Sequence, residues 1–168
     1  DFFDIRDEIT ELTVANVRVA LPPGTRATAG LSAEDPSLDV YVMYRRGVEA
    51  ALLPGPGQSI DAALGWFDQA LAVDPDYAAA HAGKCSVYVA GYPVKDDPAF
   101  IDQAEESCSR ALELNPNLDV VHVALGELYA ATGRYAEAEA AYLKALAIDP
   151  DSVDALTGVG EVHRLQQR

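Results

Sequence analysis

The side chains with the most chemical potential in this chain are three histidines and two cysteines. His81 and Cys85 stand four residues apart, and Cys108 is the second thiol. Residues at i and i+4 share one face of a helix, so His81, Cys85 and Cys108 offer at most three soft ligands. A structural zinc site closes on four, and no fourth ligand is assured. A Cys85–Cys108 disulfide is a second reading. A third is that both are free thiols acting as small apolar core residues, which is common for cysteine, and this is the expectation adopted, with no metal. Acyl-transfer and phosphate-binding signatures are missing: there is no Gly-x-Ser-x-Gly and no Walker A sequence. Gly55-Pro56-Gly57 lacks the lysine and the preceding strand that a phosphate loop needs, and reads as a connector. Carboxylates are abundant, yet acid/base catalysis needs a pair in a desolvated cleft. Asp61, Asp102 and Asp119 fall in expected first helical turns, where the helix dipole favours them, and Glu137 and Glu139 flank Ala138 on an outer face. No enzyme activity and no cofactor are expected.

The elements that carry these residues belong to an acidic chain. Its 168 residues hold 12 Lys plus Arg against 27 Asp plus Glu, a formal charge of −15. Such a chain repels a phosphate backbone, and the cations are scattered, so no nucleic-acid partner is expected. An anionic membrane surface is disfavoured for the same reason, and no apolar run approaches the roughly 18 residues of a membrane span. With 49% apolar residues the chain is nevertheless able to fold around a core. The start at Asp1 without a leader pattern, and the end at Arg168 inside a helical pattern, predict a fragment of a longer chain.

Internal repetition organises the rest. Asp35-Pro36, Asp74-Pro75, Asn115-Pro116 and Asp149-Pro150 recur with spacings of 39, 41 and 34 residues, and the last three follow an Ala-Leu pair. An Asx-Pro step stops a helix, because proline lacks an N–H and pushes the preceding residue out of the helical region. The third unit reads His122-x-x-Leu125-Gly126-x-x-Tyr129, then Ala138-x-x-x-Tyr142-x-x-Ala145, then Pro150, with Gly133 in the turn between. This resembles the 34-residue tetratricopeptide (TPR) repeat, a helix–turn–helix unit. Unit two has His81, Lys84-Cys85 in place of Leu-Gly, and Tyr88, followed by Ala104, Cys108 and Ala111; its seven extra residues are expected to lengthen the turn at 91–98. Unit one carries Ala63, Phe67 and Ala70, after a first helix near Leu38–Leu52 and a second long turn at 54–57. Unit four is half a repeat, with Val159, Gly160 and His163. The histidines then read as packing residues at repeat interfaces.

The expected fold is all-α: an α-solenoid of antiparallel helix pairs, a TPR superhelix, preceded by one amphipathic helix. Ile5, Ile9, Leu12 and Val19 set the apolar stripe of that helix. The expected organisation is helix and linker over 1–31 and repeats over 32–168, at about 38–77, 78–118, 119–152 and the half repeat 153–168. Phe3-Asp4-Ile5-Arg6-Asp7-Glu8-Ile9, followed by Tyr41, Tyr44 and Gly47, is similar to the junction before the C-terminal TPR region of bacterial multidomain regulators of the cyclase, serine/threonine kinase and winged-helix types. The resemblance implies a non-catalytic interaction module whose first helices line a concave groove for a peptide or helix. In unit one the groove residues would be Val40 and Met43; in unit two Ala79, Ala82 and Ser86; in unit three Val120, Val123, Glu127 and Ala130; in unit four Asp154, Thr157 and Glu161. The Lys/Asn clamp for a C-terminal carboxylate is missing, since Ala82, Ser86, Val123 and Glu127 fill its places. An apolar helix or a segment with basic residues fits better. A competing reading is self-association through the half repeat, where Val159, Val162 and Leu165 would be exposed. The expected compartment is the cytoplasm, with the periplasmic part of a membrane-anchored regulator as the alternative.

Overall fold

In the computed structural model residues 36–52 and 56–167 are described. The expected N-terminal amphipathic helix lies outside them. The described residues form seven α-helices and no strand: α1 (Pro36–Ala51), α2 (Pro56–Val73), α3 (Ala78–Lys95), α4 (Ala99–Leu114), α5 (Asp119–Ala131), α6 (Tyr135–Ile148) and α7 (Val153–Gln166). Residues Asp39–Arg168 make one compact unit. Within it each helix from α2 onward packs on the next in the chain, while α3 also packs on α5 and α5 on α7. The odd-numbered helices from α3 onward therefore stand side by side, which is the arrangement of a TPR-type helical solenoid.

The Asx-Pro phrase works through its side chain as well as its proline. Asn115 and Asp149, each before a proline, are extended, with φ −148° and −124°. The freed side chain then folds over the proline. The Oδ1 atoms of Asp74, Asn115 and Asp149 accept hydrogen bonds from the backbone N–H groups of Asp76, Asn117 and Asp151 at 3.0, 3.0 and 3.1 Å. These Asx turns reverse the chain at the same place in three units. Two histidines brace them: His81 Nε2 and His122 Nε2 donate to the carbonyls of Pro75 and Pro116 at 2.9 and 2.8 Å. At 131–134 the turn has the expected form. Gly133 takes φ +76°, the Arg134 N–H bonds the Tyr129 carbonyl, and the Gly133 N–H bonds that of Ala130, a Schellman closure.

Three sequence expectations on element boundaries are corrected. The extra residues of unit two lengthen a helix rather than a turn: α3 runs to Lys95 and contains Pro93. Proline here removes one helical hydrogen bond, and packing offsets that loss. Phe100 of α4 lies against Gly91, where an added Cβ would come within 2.6 Å of its ring, and it meets Tyr88 edge-on at 5.6 Å. Pro56 opens α2 instead of belonging to a long turn, as proline is tolerated in a first turn. Asp61 consequently sits in the second turn of α2, where it faces Lys95 at 3.5 Å.

The core between helix pairs is built in two ways. In the first pair Phe67 of α2, 1% exposed, lies between Gly47 of α1 and Gly83 of α3; a Cβ on either glycine would approach the ring to 2.5 Å. In the third pair Tyr142 of α6 lies in the same manner between Gly126 of α5 and Gly158 of α7. In the second pair the ring is absent. Cys85 stands at the repeat position of Gly47 and Gly126, Cys108 at that of Phe67 and Tyr142, and the two are joined by a disulfide with Cα atoms 5.3 Å apart. Both are fully buried. The expectation of two free thiols is thus corrected, and the bond removes both sulfurs from any zinc set.

Candidate functional site

The face common to α3, α5 and α7 brings together one predicted groove residue from each helix. Ser86 of α3 hydrogen-bonds the Glu127 carboxylate of α5, and Asp154 of α7 is close enough to act on its charge. Glu127 is only partly buried as a residue, yet its Oε2 is closed off from solvent and has no hydrogen-bond partner. Burial, reinforced by Asp154, pushes the Glu127 carboxyl above the usual carboxylate range, and the Ser86 bond only partly opposes this. Behind it, burial and the negative charges of Glu127 and Glu161 raise the Tyr142 hydroxyl far above its ordinary value. Val120 and Ala130 are half-buried on the same helix as Glu127.

Four residues expected on an open groove are instead buried. Val40, Ala79, Ala82 and Val123 are exposed by 1, 9, 2 and 7% respectively. Position in the stack gives the reason for two of them. Ala82 packs in one cluster with Val121, Ala124 and Leu125 of α5. Val123 packs with Ala155 and Val162 of α7. Their side chains are covered by the next odd-numbered helix. Val40 belongs to the cluster with Phe67 and Ala80, and Met43 is half-buried against it. Thr157 occupies in α7 the place of Ala82 and Val123, and it is exposed, as are Asp154 and Glu161. Glu161 is held by Arg164, one turn on, through Nε at 2.9 Å.

The exposed apolar surface of α7 also differs from expectation. Val162 is fully buried and Val159 and Leu165 are half-buried, while Val153 and Leu156 are 72% and 54% exposed. Gly160 of α7 has nothing within 4 Å of where a Cβ would stand. Away from this face, a cavity of about 630 Å³ is lined by His81, Lys84 and Tyr88 of α3 and by Glu106, Arg110 and Glu113 of α4. Among the described residues no cluster of His, Cys, Asp and Glu is arranged to hold a metal ion, and no helix is long and apolar enough to cross a membrane.

Comparison with known proteins agrees with the fold. Residues 101–163 match the family model described as tetratricopeptide repeat. The chain is 46% identical over 66 residues to cellulose synthase operon protein C of Xanthomonas axonopodis pv. citri (strain 306), a match that spans 39% of this chain and 4% of that protein. Among solved structures, a thermophilic TPR protein of Thermus thermophilus is similar with a TM-score of 0.63 and 23% identity, over 96% of this chain and 80% of the other. The first TPR of Spaghetti (RPAP3), bound to an HSP90 peptide, gives 0.59 and 18% identity, over 79% and 98%. The Sgt2 TPR domain of Aspergillus fumigatus gives 0.58 and 18%, over 77% and 80%. The fold is that of TPR helical solenoids, and residues 101–163 carry the repeat's sequence.

Proposed function

We propose that this chain is a non-catalytic protein-interaction module that offers the common face of α3, α5 and α7 to a partner peptide or helix, as the regulatory part of a larger bacterial signalling protein. The observation that carries the reading is that Glu127 of α5 keeps one carboxylate oxygen buried without a partner, while Ser86 of α3 hydrogen-bonds the group and Asp154 of α7 acts on its charge. A rigid row of helices displays side chains at fixed spacing without a conformational change, which limits the entropic cost of binding. The RPAP3 domain named above is bound to the peptide SRMEEVD, which is rich in carboxylates. The face on this chain carries carboxylates itself, so its partner is of a different kind. Selection of displayed peptides on the immobilised chain tests the reading. Peptides should be recovered whose binding is lost on Ser86→Trp, which fills the face while the protein still unfolds in one cooperative transition. Recovery of none, or binding indifferent to Ser86→Trp, contradicts it.

A second reading rests on α7. In the first and third pairs a glycine of the odd-numbered helix receives an aromatic ring, whereas Gly160 is open on a helix that also exposes Leu156. An apolar helix bearing an aromatic side chain fits there, and a second copy of the chain is a source for it. Light scattering across a concentration series tests this, with association abolished by Leu156→Glu. The disulfide favours the periplasmic alternative for the compartment, because such bonds persist in oxidising surroundings and are rare in the cytosol.

A further inference from the structure

We propose that Glu127 is the specificity-determining acceptor of this face, taking an ammonium or guanidinium group of the partner between Ser86 and Asp154. This inference rests on the interaction reading above and gives it a chemistry. A buried carboxylate oxygen without a donor is an unstable arrangement, and native proteins pair such groups almost without exception. Within the chain Glu127 has one hydrogen-bonding side chain, Ser86, and its Oε2 has none. The groups that act on its charge add to the problem: Asp154 from α7 is a second negative charge. On α6, the hydroxyl of Tyr142 is within range of its field. On α7, Arg164 is engaged on Glu161.

A lysine or arginine from outside relieves this. It donates to the Glu127 carboxylate, offsets one of the two negative charges of Glu127 and Asp154, and rests its apolar stem against half-buried Ala130. An Asp or Glu on the partner would meet two carboxylates and be rejected, so the same residues supply selectivity against acidic segments. The formal charge of −15 adds long-range attraction for a basic partner, but it acts on any such partner alike. Glu127 is what distinguishes one site from the general field.

Peptide selection on the whole chain tests this with three proteins in parallel: the parent, Glu127→Gln, and Glu106→Gln on exposed α4 as a control with the same net charge as Glu127→Gln. The parent and Glu106→Gln should enrich one set of peptides centred on Lys or Arg among apolar residues. Replacing that Lys or Arg by an uncharged residue should weaken binding roughly tenfold or more, and Glu127→Gln should weaken the parent peptide by the same factor. The two changes together should cost no more than either alone. Peptides lost on Ser86→Trp but enriched without Lys or Arg, or unaffected by Glu127→Gln, overturn the role of Glu127 and leave the interaction reading standing. An equal loss in Glu106→Gln also overturns it, because the charge effect would then be diffuse. Recovery of no peptide by the parent overturns both.

Discussion

The second helix pair and its two neighbours solve one packing problem with different chemistry. In the first and third pairs an aromatic ring fills the space between two helices, and it reaches far enough to touch the following helix. Gly47 and Gly83 make room for Phe67; Gly126 and Gly158 make room for Tyr142. In the second pair Cys85 and Cys108 close the same space with a covalent bond. The disulfide is smaller than a ring: the Cys85 sulfur stands 3.8 Å from the Ala124 carbonyl of the following helix, which leaves room for a methyl, so the second glycine of the pattern is unnecessary. The equivalent of Gly83 and Gly158 is indeed Ala124, fully buried in that cluster. Ring and glycine therefore travel together across a repeat boundary, and where the ring is lost the following glycine is lost with it. The bonded pair is also the one that positions Ser86, the residue after Cys85, opposite Glu127.

This contrast can be broken at several points. The largest effect is expected from Phe67→Ala, which empties the ring site between three helices. It should destabilise the chain by about 3–5 kcal/mol in denaturant titration. Reduction of Cys85–Cys108 should cost about 2–4 kcal/mol, seen as a lower melting temperature with a reductant. A graft sharpens the comparison further. Cys85→Gly with Cys108→Tyr should fold poorly, because the new ring meets the Ala124 methyl, whereas adding Ala124→Gly should recover about 1–3 kcal/mol and make the melt insensitive to reductant.

Glu127→Gln is expected to act in the opposite direction and more weakly. Burial raises the folded-state Glu127 carboxyl above its unfolded value. Between the two values the native chain holds a proton that the unfolded chain has lost, so stability falls as pH rises through that window. Glutamine removes the penalty. It should stabilise the chain by about 1 kcal/mol at neutral pH, and the difference should close as the pH drops toward about 4. The smallest effect, about 0.5–1 kcal/mol, is expected from Asn115→Ala, which deletes one Asx turn.

Much of this was legible in the sequence, and the reasons for the remainder are physical. Helix pairs, their order and the stop at each Asx-Pro could be read because proline and apolar periodicity act locally. The turn at Gly133 was readable for the same reason. The long α3 was not, because Pro93 argues for a break and only the packing of Phe100 on Gly91 overrides it. The Cys85 and Cys108 alignment with Gly126 and Tyr142 was visible, but a thiol pair at core positions has the same pattern whether bonded or free. On the candidate face, repeat phase assigned Ser86, Glu127 and Asp154 to the same side of their helices. Ala82 and Val123 were misplaced because the phase gives a direction from the helix axis and does not say how closely the next helix stands. An arginine at Val123 would consequently break the core rather than test the surface.

The account turns on the covalent closure of the second pair. Alkylation of the oxidised protein with iodoacetamide in denaturant, without reductant, followed by intact mass measurement, tests it most directly. The account expects no alkyl group to be added until a reductant is present, and two thereafter. Two additions without reductant would mean free thiols at Cys85 and Cys108, and would contradict the disulfide as the counterpart of the ring in the neighbouring pairs.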